Sequence, residues 1–367
     1  MTDPRKRLPQ KVDATSDLLP ISVLTGFLGA GKTTLLNNLI QRPAFSRTLV
    51  IINEFGEIGI DHHLVTQTND DVVVEMSSGC LCCTIRGDLA QTLREAPWRF
   101  ARGGKTWFDR VVIETTGLAD PAPIVNTLMT EPAIVKRYRL DGVIAAVDAV
   151  NGHDTLDRQI ESVKQAAMAD RLLITKSDLV NEDALKRLRS RLRALNPAAP
   201  QTLVVDGALD PTSFLNIGLY DLKTKSLDVQ NWLNTEAYGE KKAHEHSHDA
   251  SHHHDHQHDD VNRHDARIKA VCLTIEEPVD RDALDHWLKE LSQRKGPDLL
   301  RMKGIVNVQG MDGPMVVHGV QHVIHPSFSL DQWPDDNRCS RIVFITRDID
   351  EAELRASLQV LRSFAKR

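Results

Sequence analysis

The first half of the chain alternates short β-branched runs with longer segments of helical periodicity. Six apolar runs predict buried strands: ISVLT, TLVIIN, DVVVE, RVVIET, GVIAAVDA and RLLITK. Segments with helical spacing lie between them, among them 33–42, 88–100 and 182–195. Near-continuous apolar strands that alternate with helices are typical of a mostly parallel sheet covered on both faces. The pattern predicts an α/β domain over residues 20–220.

The pattern changes at residues 221–266, where a polar stretch leads into HEHSHDASHHHDHQHDDVNRH. This histidine-rich segment holds nine of the sixteen histidines and has no residues to build a core. Beyond it come strand-like RIKAVCLTI, a helix over 281–293, strand-like GIVNVQG, MVVHGV and RIVFIT, and a closing helix over 351–364. That order predicts a smaller C-terminal α+β domain over 267–367. Residues 1–19 are predicted to be a disordered leader.

Composition limits the classes of function. The chain has 367 residues, 41% hydrophobic and 26% charged, which is enough for about two domains with buried cores. Its 45 basic and 51 acidic residues are mixed along the sequence, so no basic field favours nucleic acid. No run approaches the roughly 18 apolar residues of a membrane span, and the N-terminus lacks the features of a secretory signal. We therefore expect a cytoplasmic protein with neither nucleic acid nor membrane as a partner.

A glycine-rich segment carries the first chemical signal. GFLGAGKT at residues 26–33 matches G-x-x-x-x-G-K-[ST] and lies between strand ISVLT and helix TTLLNNLI. Its backbone N–H groups can wrap phosphates, Lys32 can reach the β- and γ-phosphates, and Thr33 can offer its hydroxyl to Mg²⁺. The alternative, a chance glycine-rich turn, is disfavoured by the flanking strand and helix. We predict a nucleoside triphosphate site.

The base is indicated by Thr175-Lys176-Ser177-Asp178, which follows the strand RLLIT. These residues resemble the Asn-Lys-x-Asp element of GTPases, in which the aspartate accepts hydrogen bonds from guanine and the lysine stem lies on the ring. Adenine offers no such donors to Asp178. Thr175 departs from the usual asparagine, and an aspartate after a strand also fits a helix cap. We favour guanine over the cap.

Two further segments fit a response to the γ-phosphate. ETTGLADP begins at Glu114, at the end of strand RVVIET, where a carboxylate can hold Mg²⁺ or its water, and the Gly117 amide can meet the γ-phosphate. The alternative is an acidic strand end with no ligand role. NEFGEIGID, at residues 53–61, follows the second strand, where P-loop GTPases carry a nucleotide-dependent switch. Its composition equally fits an ordinary surface loop.

The cysteines indicate metal chemistry. Three of the five cysteines lie in Cys80-Leu81-Cys82-Cys83, which is not a disulfide framework. The motif falls between strand VVVE and the helix predicted from residue 88, and thiols suit Zn²⁺ or Cu(I). A tetrahedral zinc ion needs about four donors, so we add Glu57, with His62 and His63 as further candidates. Cys80 and Cys82 are better placed than Cys83, because adjacent cysteines seldom bind one ion without strain. A redox dithiol is the rival interpretation.

The histidines give weaker signals. Those of the histidine-rich segment can bind Zn²⁺, Ni²⁺ or Co²⁺ loosely as a store, and a solvated linker is the equal alternative. The weak-site candidates are His252, His253, His254, His256 and His258. His318, His322 and His325 could form a second metal site, but hydrogen-bonded strand-edge histidines are the commoner case.

Taken in order, GFLGAGKTTLL, NEFGEIGID, GCLCC, ETTGLADPAP, DGVIAAVDA and TKSD resemble the CobW-type metallochaperone GTPases, which are SIMIBI-class P-loop proteins. RMKGIVNVQG and VVHGVQHVIHPSFSLDQW resemble the CobW C-terminal domain, so the resemblance covers most of the chain. The zinc-chaperone members are the most similar in these motifs. The resemblance implies a metal site at the motif cysteines, a guanine reader at Lys176 and Asp178, and a nucleotide site formed by Gly26, Gly29, Ala30, Gly31, Lys32, Thr33 and Thr34.

The resulting hypothesis is a Mg²⁺-dependent GTPase, slow by itself, that binds zinc and transfers it to client metalloproteins. The rivals are a GTP-responsive metal buffer or regulatory protein and a cobalt chaperone of cobalamin-related metabolism. A small-molecule kinase is disfavoured by the guanine element. Co²⁺ and Ni²⁺ stay open beside Zn²⁺. The client and the oligomeric state are open too, with a homodimer among the alternatives.

Overall fold

The computed structural model describes residues 18–54, 72–77, 83–215, 217, 233, 267–325, 327–359 and 361. The first part of the chain contains each of the six predicted strands. Its elements are β1 (Leu19–Gly26), α1 (Lys32–Ile40), β2 (Thr48–Glu54), β3 (Val72–Ser77), α2 (Cys83–Arg99), β4 (Ala101–Arg102), β5 (Lys105–Thr106), β6 (Arg110–Thr115), α3 (Ala122–Thr130), α4 (Pro132–Val135), β7 (Tyr138–Asp148), α5 (Gly152–Arg158), α6 (Ile160–Met168), β8 (Arg171–Thr175), α7 (Glu182–Leu195) and β9 (Gln201–Leu203).

Within these residues, seven strands form one sheet in the order β3-β2-β6-β1-β7-β8-β9. Every neighbouring pair is parallel, which confirms the predicted parallel sheet. Separate apolar cores cover the two faces, one around Val23 and Val111 and the other around Leu24 and Val112. Because the strands run the same way, their carboxyl ends meet at one edge, where ligands bind in folds of this kind.

The second part of the chain forms an antiparallel sheet with helices against it. Its elements are β10 (Ile268–Ile275), α8 (Arg281–Lys295), β11 (Leu299–Val306), β12 (Met315–Val320), β13 (Val323–Ile324), β14 (Phe328–Ser329), β15 (Ser340–Arg347) and α9 (Glu351–Ser357). The strand order is β10-β15-β11-β12-β13, with β14 beside β12. Trp287 of α8 packs edge to face on Phe344, with ring centroids 6.4 Å apart. These elements confirm the predicted α+β domain.

The two sheets are joined through helices of the first domain. Leu300 and Ile345 belong to the apolar cluster that also contains Val163 of α6 and Leu188 of α7. Val320, at the end of β12, belongs to the cluster built around α3. The C-terminal sheet therefore packs against α3, α6 and α7, three helices of the first domain.

A buried charge cluster lies at this junction. Asp170, between α6 and β8, accepts hydrogen bonds from Arg301 and from Lys303, whose Nζ is 2.6 Å from the carboxylate. All three side chains are less than a tenth exposed. Burial alone raises the pKa of Asp170, but Arg301 and Lys303 hold it well below its usual value. Burial and the neighbouring Arg301 lower the pKa of Lys303 to about 8.

Several element boundaries differ from the prediction. Helix α2 begins at Cys83, five residues before the predicted start at residue 88, and so continues through Gly87, a residue with a weak helix preference. The closing helix α9 is described over Glu351–Ser357, and its predicted end at residue 364 lies outside the described residues. The prediction also did not name α3, whose 122–130 segment is buried on nearly all sides and so shows no helical stripe. Among the described helices, none has the length and apolar character needed to span a bilayer.

Candidate nucleotide and metal site

The glycine-rich loop follows β1 and leads directly into α1. Gly26 has φ 142°, and a Cβ at this position would lie 2.4 Å from the carbonyl oxygen of Ala146. Only glycine fits so close to the neighbouring strand. Gly29 and Gly31 also have positive φ, at 73° and 80°. The loop therefore has the backbone conformation that glycine permits and that phosphate-binding loops require.

Lys32 places its ammonium group inside this loop. Its Nζ donates to the carbonyl oxygens of Gly26 at 2.8 Å and Phe27 at 3.3 Å. The residue is only 8% exposed, so its charge lies in a shielded environment where interaction with a phosphate is strong. Thr34, the next residue but one, is on the exposed side of α1. The predicted β- and γ-phosphate contact of Lys32 is compatible with this position.

Thr33 and Glu114 are brought together although they are 81 residues apart. The Thr33 hydroxyl donates to Oε1 of Glu114 at 2.8 Å, and Glu114 is 3% exposed at the end of β6. A hydroxyl beside a buried carboxylate is a set of hard oxygen donors, which is what Mg²⁺ binds in P-loop proteins. The residues present therefore fit a magnesium ion. The sequence alone could not exclude a strand-end carboxylate that has no neighbour of this kind.

The loop that contains Gly117 lies against the phosphate loop. A Cβ on Gly117 would approach the backbone nitrogen of Leu28 to 2.6 Å, so this contact also requires glycine. Next to it, the Thr115 hydroxyl donates to the hydroxyl of Thr25, at 2.9 Å. Residues 114–121, called the Gly117 loop below, are therefore in direct contact with the phosphate-binding loop.

The Thr-Lys-Ser-Asp element lies at the carboxyl end of β8, and Thr175 ties it to the phosphate loop. The Thr175 hydroxyl donates to the carbonyl oxygen of Ala30 at 2.8 Å. The departure from asparagine thus retains a side chain that can reach the phosphate loop. Asp178 is exposed, and the following helix is capped by Asn181, which accepts from the amide of Ala184. The cap interpretation of Asp178 is not needed to explain α7.

Asp148 is a residue of this region that the sequence analysis did not single out. Lys176 has φ 54°, and its Nζ donates to Oδ2 of Asp148 at 2.8 Å. Asp148 also accepts from Asn151 Nδ2 and from the amide of Val150. Burial raises the pKa of Asp148, but the hydrogen bonds from Lys176, Asn151 and Val150 outweigh burial and lower it. Asp148 is therefore an ionised carboxylate that holds the lysine of the Thr-Lys-Ser-Asp element in place.

A second missed feature is the turn after β9. The side-chain amide of Asn38, on α1, donates to the carbonyl oxygen of Asp206 at 3.2 Å, and Ser177 donates to that of Val204. Asp206 and Gly207 both have positive φ. This turn connects the phosphate-loop helix with the Thr-Lys-Ser-Asp element. The Asp-Gly dipeptide, a common turn signal, would have identified the turn but not its position.

Most predicted metal ligands fall outside the described residues: Glu57, Cys80, Cys82, His252, His253, His254, His256 and His258. The backbone of Cys83 is described, and this residue begins α2 rather than lying in a loop. The strands before the two predicted ligand segments are adjacent, since Glu54 of β2 pairs with Ser77 of β3. Asn53 of β2 also pairs with Thr115 of β6. Both segments therefore leave the sheet from the edge that carries the Gly117 loop.

The C-terminal histidines do not meet in a metal-binding group. His318 is buried and stacks on His325, with ring centroids 5.5 Å apart, whereas His322 is exposed. Within the part of the chain that the structure describes, no group of three or more His, Cys, Asp or Glu side chains could hold a metal ion. Burial, followed by the charge of Arg301, keeps the pKa of His318 well below its usual value, so its ring is neutral at neutral pH.

Comparison with known proteins places this site in a family. Residues 20–202 match the CobW/HypB/UreG nucleotide-binding domain, and residues 268–362 match the cobalamin synthesis protein CobW C-terminal domain. The zinc chaperone YjiA of Escherichia coli is 31% identical over 344 residues, covering 94% of this chain and 99% of YjiA. The chain belongs to the CobW/HypB/UreG family. The resemblance found in the sequence motifs is thereby confirmed.

A second relative and a solved structure also match the chain over most of its length. The zinc chaperone CobW of Pseudomonas aeruginosa is 30% identical over 387 residues, covering 96% of this chain and 93% of CobW. A crystal structure of Zn(II)-bound YjiA GTPase from E. coli superimposes with a TM-score of 0.67 at 29% identity, covering 94% of this chain and 99% of that one. The match spans both domains of this CobW/HypB/UreG member.

Proposed function

We propose that this protein is a GTP-hydrolysing metallochaperone that binds zinc at its cysteine motif and transfers it to client metalloproteins. The observation that carries the proposal is the meeting of Lys32, Thr33, Glu114 and Gly117 at one edge of the parallel sheet. This edge is also where the chain leaves toward the cysteine motif. Relatives named zinc chaperones and the zinc-bound structure of one of them support the choice of metal.

In the proposed reaction each nucleotide-site residue has a separate task. Lys32 meets the β- and γ-phosphates, and the Gly117 amide donates to the γ-phosphate. Thr33 and Glu114 hold Mg²⁺ directly or through its water, and this ion offsets charge on the phosphates when it is bound. Gly26, Gly29, Ala30, Gly31 and Thr34 complete the phosphate cradle. Hydrolysis by the protein alone is proposed to be slow.

Guanine recognition is assigned to Thr175, Lys176 and Asp178. Asp178 is exposed at the mouth of the site and accepts from the guanine donors, while the Lys176 stem, anchored by Asp148, covers the ring. Thr175 keeps this element attached to the phosphate loop. Adenine lacks the N1 and N2 hydrogens of guanine, so it would leave the Asp178 carboxylate without hydrogen-bond donors.

The metal ligands are proposed to be Cys80, Cys82 and Cys83 with Glu57. Zn²⁺ is the ion that the thiolates and the named relatives favour, and Co²⁺ or Ni²⁺ would suit related sites. Five histidines of the histidine-rich segment, His252, His253, His254, His256 and His258, are proposed as weak sites only. We further propose a cytoplasmic protein with a leader at 1–19, a GTPase domain at 20–220, a linker at 221–266 and a C-terminal domain at 267–367.

The guanine assignment predicts that Asp178→Ala removes the preference for GTP over ATP. In the unmodified protein GTP should outcompete ATP by at least about tenfold, because adenine leaves the Asp178 carboxylate without its donors. Competition of each nucleotide against a fluorescent GDP analogue measures the ratio, and Asp183→Ala on the exposed first turn of α7 is the matched control. Equal competition by ATP in the unmodified protein would contradict the guanine assignment.

A further inference from the structure

The Gly117 loop is hydrogen-bonded to Gln165, a buried side chain with no task in the proposed reaction. Gln165, on α6, is 1% exposed, and its Nε2 donates to the carbonyl oxygens of Gly117 at 3.2 Å and Ala119 at 2.9 Å. Because both partners are acceptors, the amide end of Gln165 that faces them is its NH₂ group. One buried side chain thus fixes the backbone of the loop at two positions.

The same loop is held a second time through Asp120. Its Oδ1 accepts from the amide of Ala122, the first residue of α3, at 3.0 Å. Its Oδ2 accepts from Lys164 Nζ, at 2.8 Å, and from Gln321 Nε2, at 3.4 Å. Lys164 precedes Gln165 on α6, so two adjacent residues of one helix contact the Gly117 loop at Gly117, Ala119 and Asp120.

Gln321 comes from the C-terminal domain. It lies in the tight turn between β12 and β13 and has φ 52°. Its backbone N–H donates to the carbonyl oxygen of Leu299 at 2.7 Å. The preceding Val320 is buried in the cluster around α3. The turn is therefore anchored at Val320 and at the backbone of Gln321, and the Gln321 side chain reaches Asp120 from a fixed position.

We propose that Gln165 is a positioning residue for the Gly117 loop. We further propose that the C-terminal domain helps to fix the same loop through Gln321, which donates to Asp120 beside Lys164 of α6. The proposal rests on the proposed contact between the Gly117 amide and the γ-phosphate. A loop held at Gly117, Ala119 and Asp120 keeps the Gly117 amide in one place. Less conformational entropy is therefore lost when the triphosphate binds. The C-terminal domain can then raise or lower the preference for GTP over GDP by moving Gln321.

The test is the ratio of the Kd for GDP to the Kd for a non-hydrolysable GTP analogue, together with kcat. Gln165→Met keeps the length of the side chain and removes both donors. We expect the ratio and kcat each to fall about tenfold, the loss expected for one or two buried hydrogen bonds. The Kd for GDP should stay within about twofold, because GDP has no γ-phosphate for the loop to meet.

Lys164→Met and Gln321→Ala each remove one hydrogen bond to Asp120 without leaving a cavity in the apolar core. Each should lower the ratio of the two Kd values about threefold. Gln309→Ala, an exposed glutamine that bonds Pro278 within the C-terminal domain, is the matched control and should change nothing. If Gln165→Met impairs GDP binding as well, the decision rests on Lys164→Met and Gln321→Ala. If the ratio of the two Kd values is unchanged in Gln321→Ala, the C-terminal domain does not help to position the Gly117 loop.

Gly117→Ala separates this inference from the proposed function. Its added Cβ would press on Leu28, so the ratio must fall if the loop meets the γ-phosphate. A fall with Gly117→Ala but none with Gln165→Met would overturn the positioning role alone. An unchanged ratio with Gly117→Ala would instead show that the loop does not sense the γ-phosphate, and the proposed contact itself would be wrong.

Discussion

Replacing Lys32 by alanine is expected to reduce kcat for GTP hydrolysis by at least about a hundredfold. The ammonium group is the buried positive charge of the phosphate loop, bonded to the carbonyl oxygens of Gly26 and Phe27. Electrostatic contacts to a transferring phosphoryl group in a shielded site contribute roughly a hundred- to a thousandfold each. Phosphate release from GTP, measured in excess Mg²⁺, gives the comparison.

The control for this variant is Lys186→Ala, which removes an equal charge from an exposed position of α7. It should hydrolyse GTP at the rate of the unmodified protein. Zinc binding by nucleotide-free Lys32→Ala should be retained, because Lys32 is not one of the proposed zinc ligands. A normal hydrolysis rate in Lys32→Ala would show that the phosphate loop has been assigned wrongly.

Replacing Asp170 by alanine is expected to lower the free energy of unfolding by about 3–5 kcal/mol, as for other buried ion pairs that lose one partner. Arg301 and Lys303 would then lie buried at the domain junction without their carboxylate. Burial and Arg301 already lower the pKa of Lys303, so its charge is the one most readily lost. Urea unfolding at neutral pH, followed by circular dichroism, measures the change.

Two comparisons identify the cause of that loss. Asp348→Ala breaks the exposed pair with Arg267 and should cost at most about 1 kcal/mol, because solvent screens such pairs. The double variant Asp170→Ala with Lys303→Met should recover part of the lost stability, since one of the two buried charges is gone. A stability loss no larger than that of Asp348→Ala would contradict the role given to the buried cluster.

The features that could be predicted from sequence are those with a local signal. Strands such as RVVIET show continuous apolar runs, and the phosphate loop has a fixed spacing between a strand and a helix. Both the parallel sheet and the family were therefore predicted correctly. The position of Glu114 beside Thr33 followed from the expectation that carboxyl ends of parallel strands meet at one edge.

The features that sequence did not reveal depend on contacts between distant residues. Thr175 reaches Ala30 across 145 positions, and Gln165 reaches Gly117 across 48. No periodicity marks a glutamine that faces two carbonyl groups, and α6, which carries it, is a nine-residue helix buried on most sides. The start of α2 at Cys83 was missed for a different reason, because the helix continues through Gly87, a residue with a weak helix preference.

Coupling between the nucleotide state and the proposed metal site is tested most directly by measuring zinc affinity in three nucleotide states. The two segments proposed to hold zinc follow strands that end beside the Gly117 loop, so ordering that loop by GTP should change the environment of the zinc ligands. Competition with a chelating zinc dye, on the nucleotide-free, GDP and GTP-analogue forms, should show affinities that differ by roughly 5- to 150-fold. Cys82→Ser should flatten the difference. Identical zinc affinity in all three forms would contradict a GTP-driven metallochaperone and favour a metal buffer.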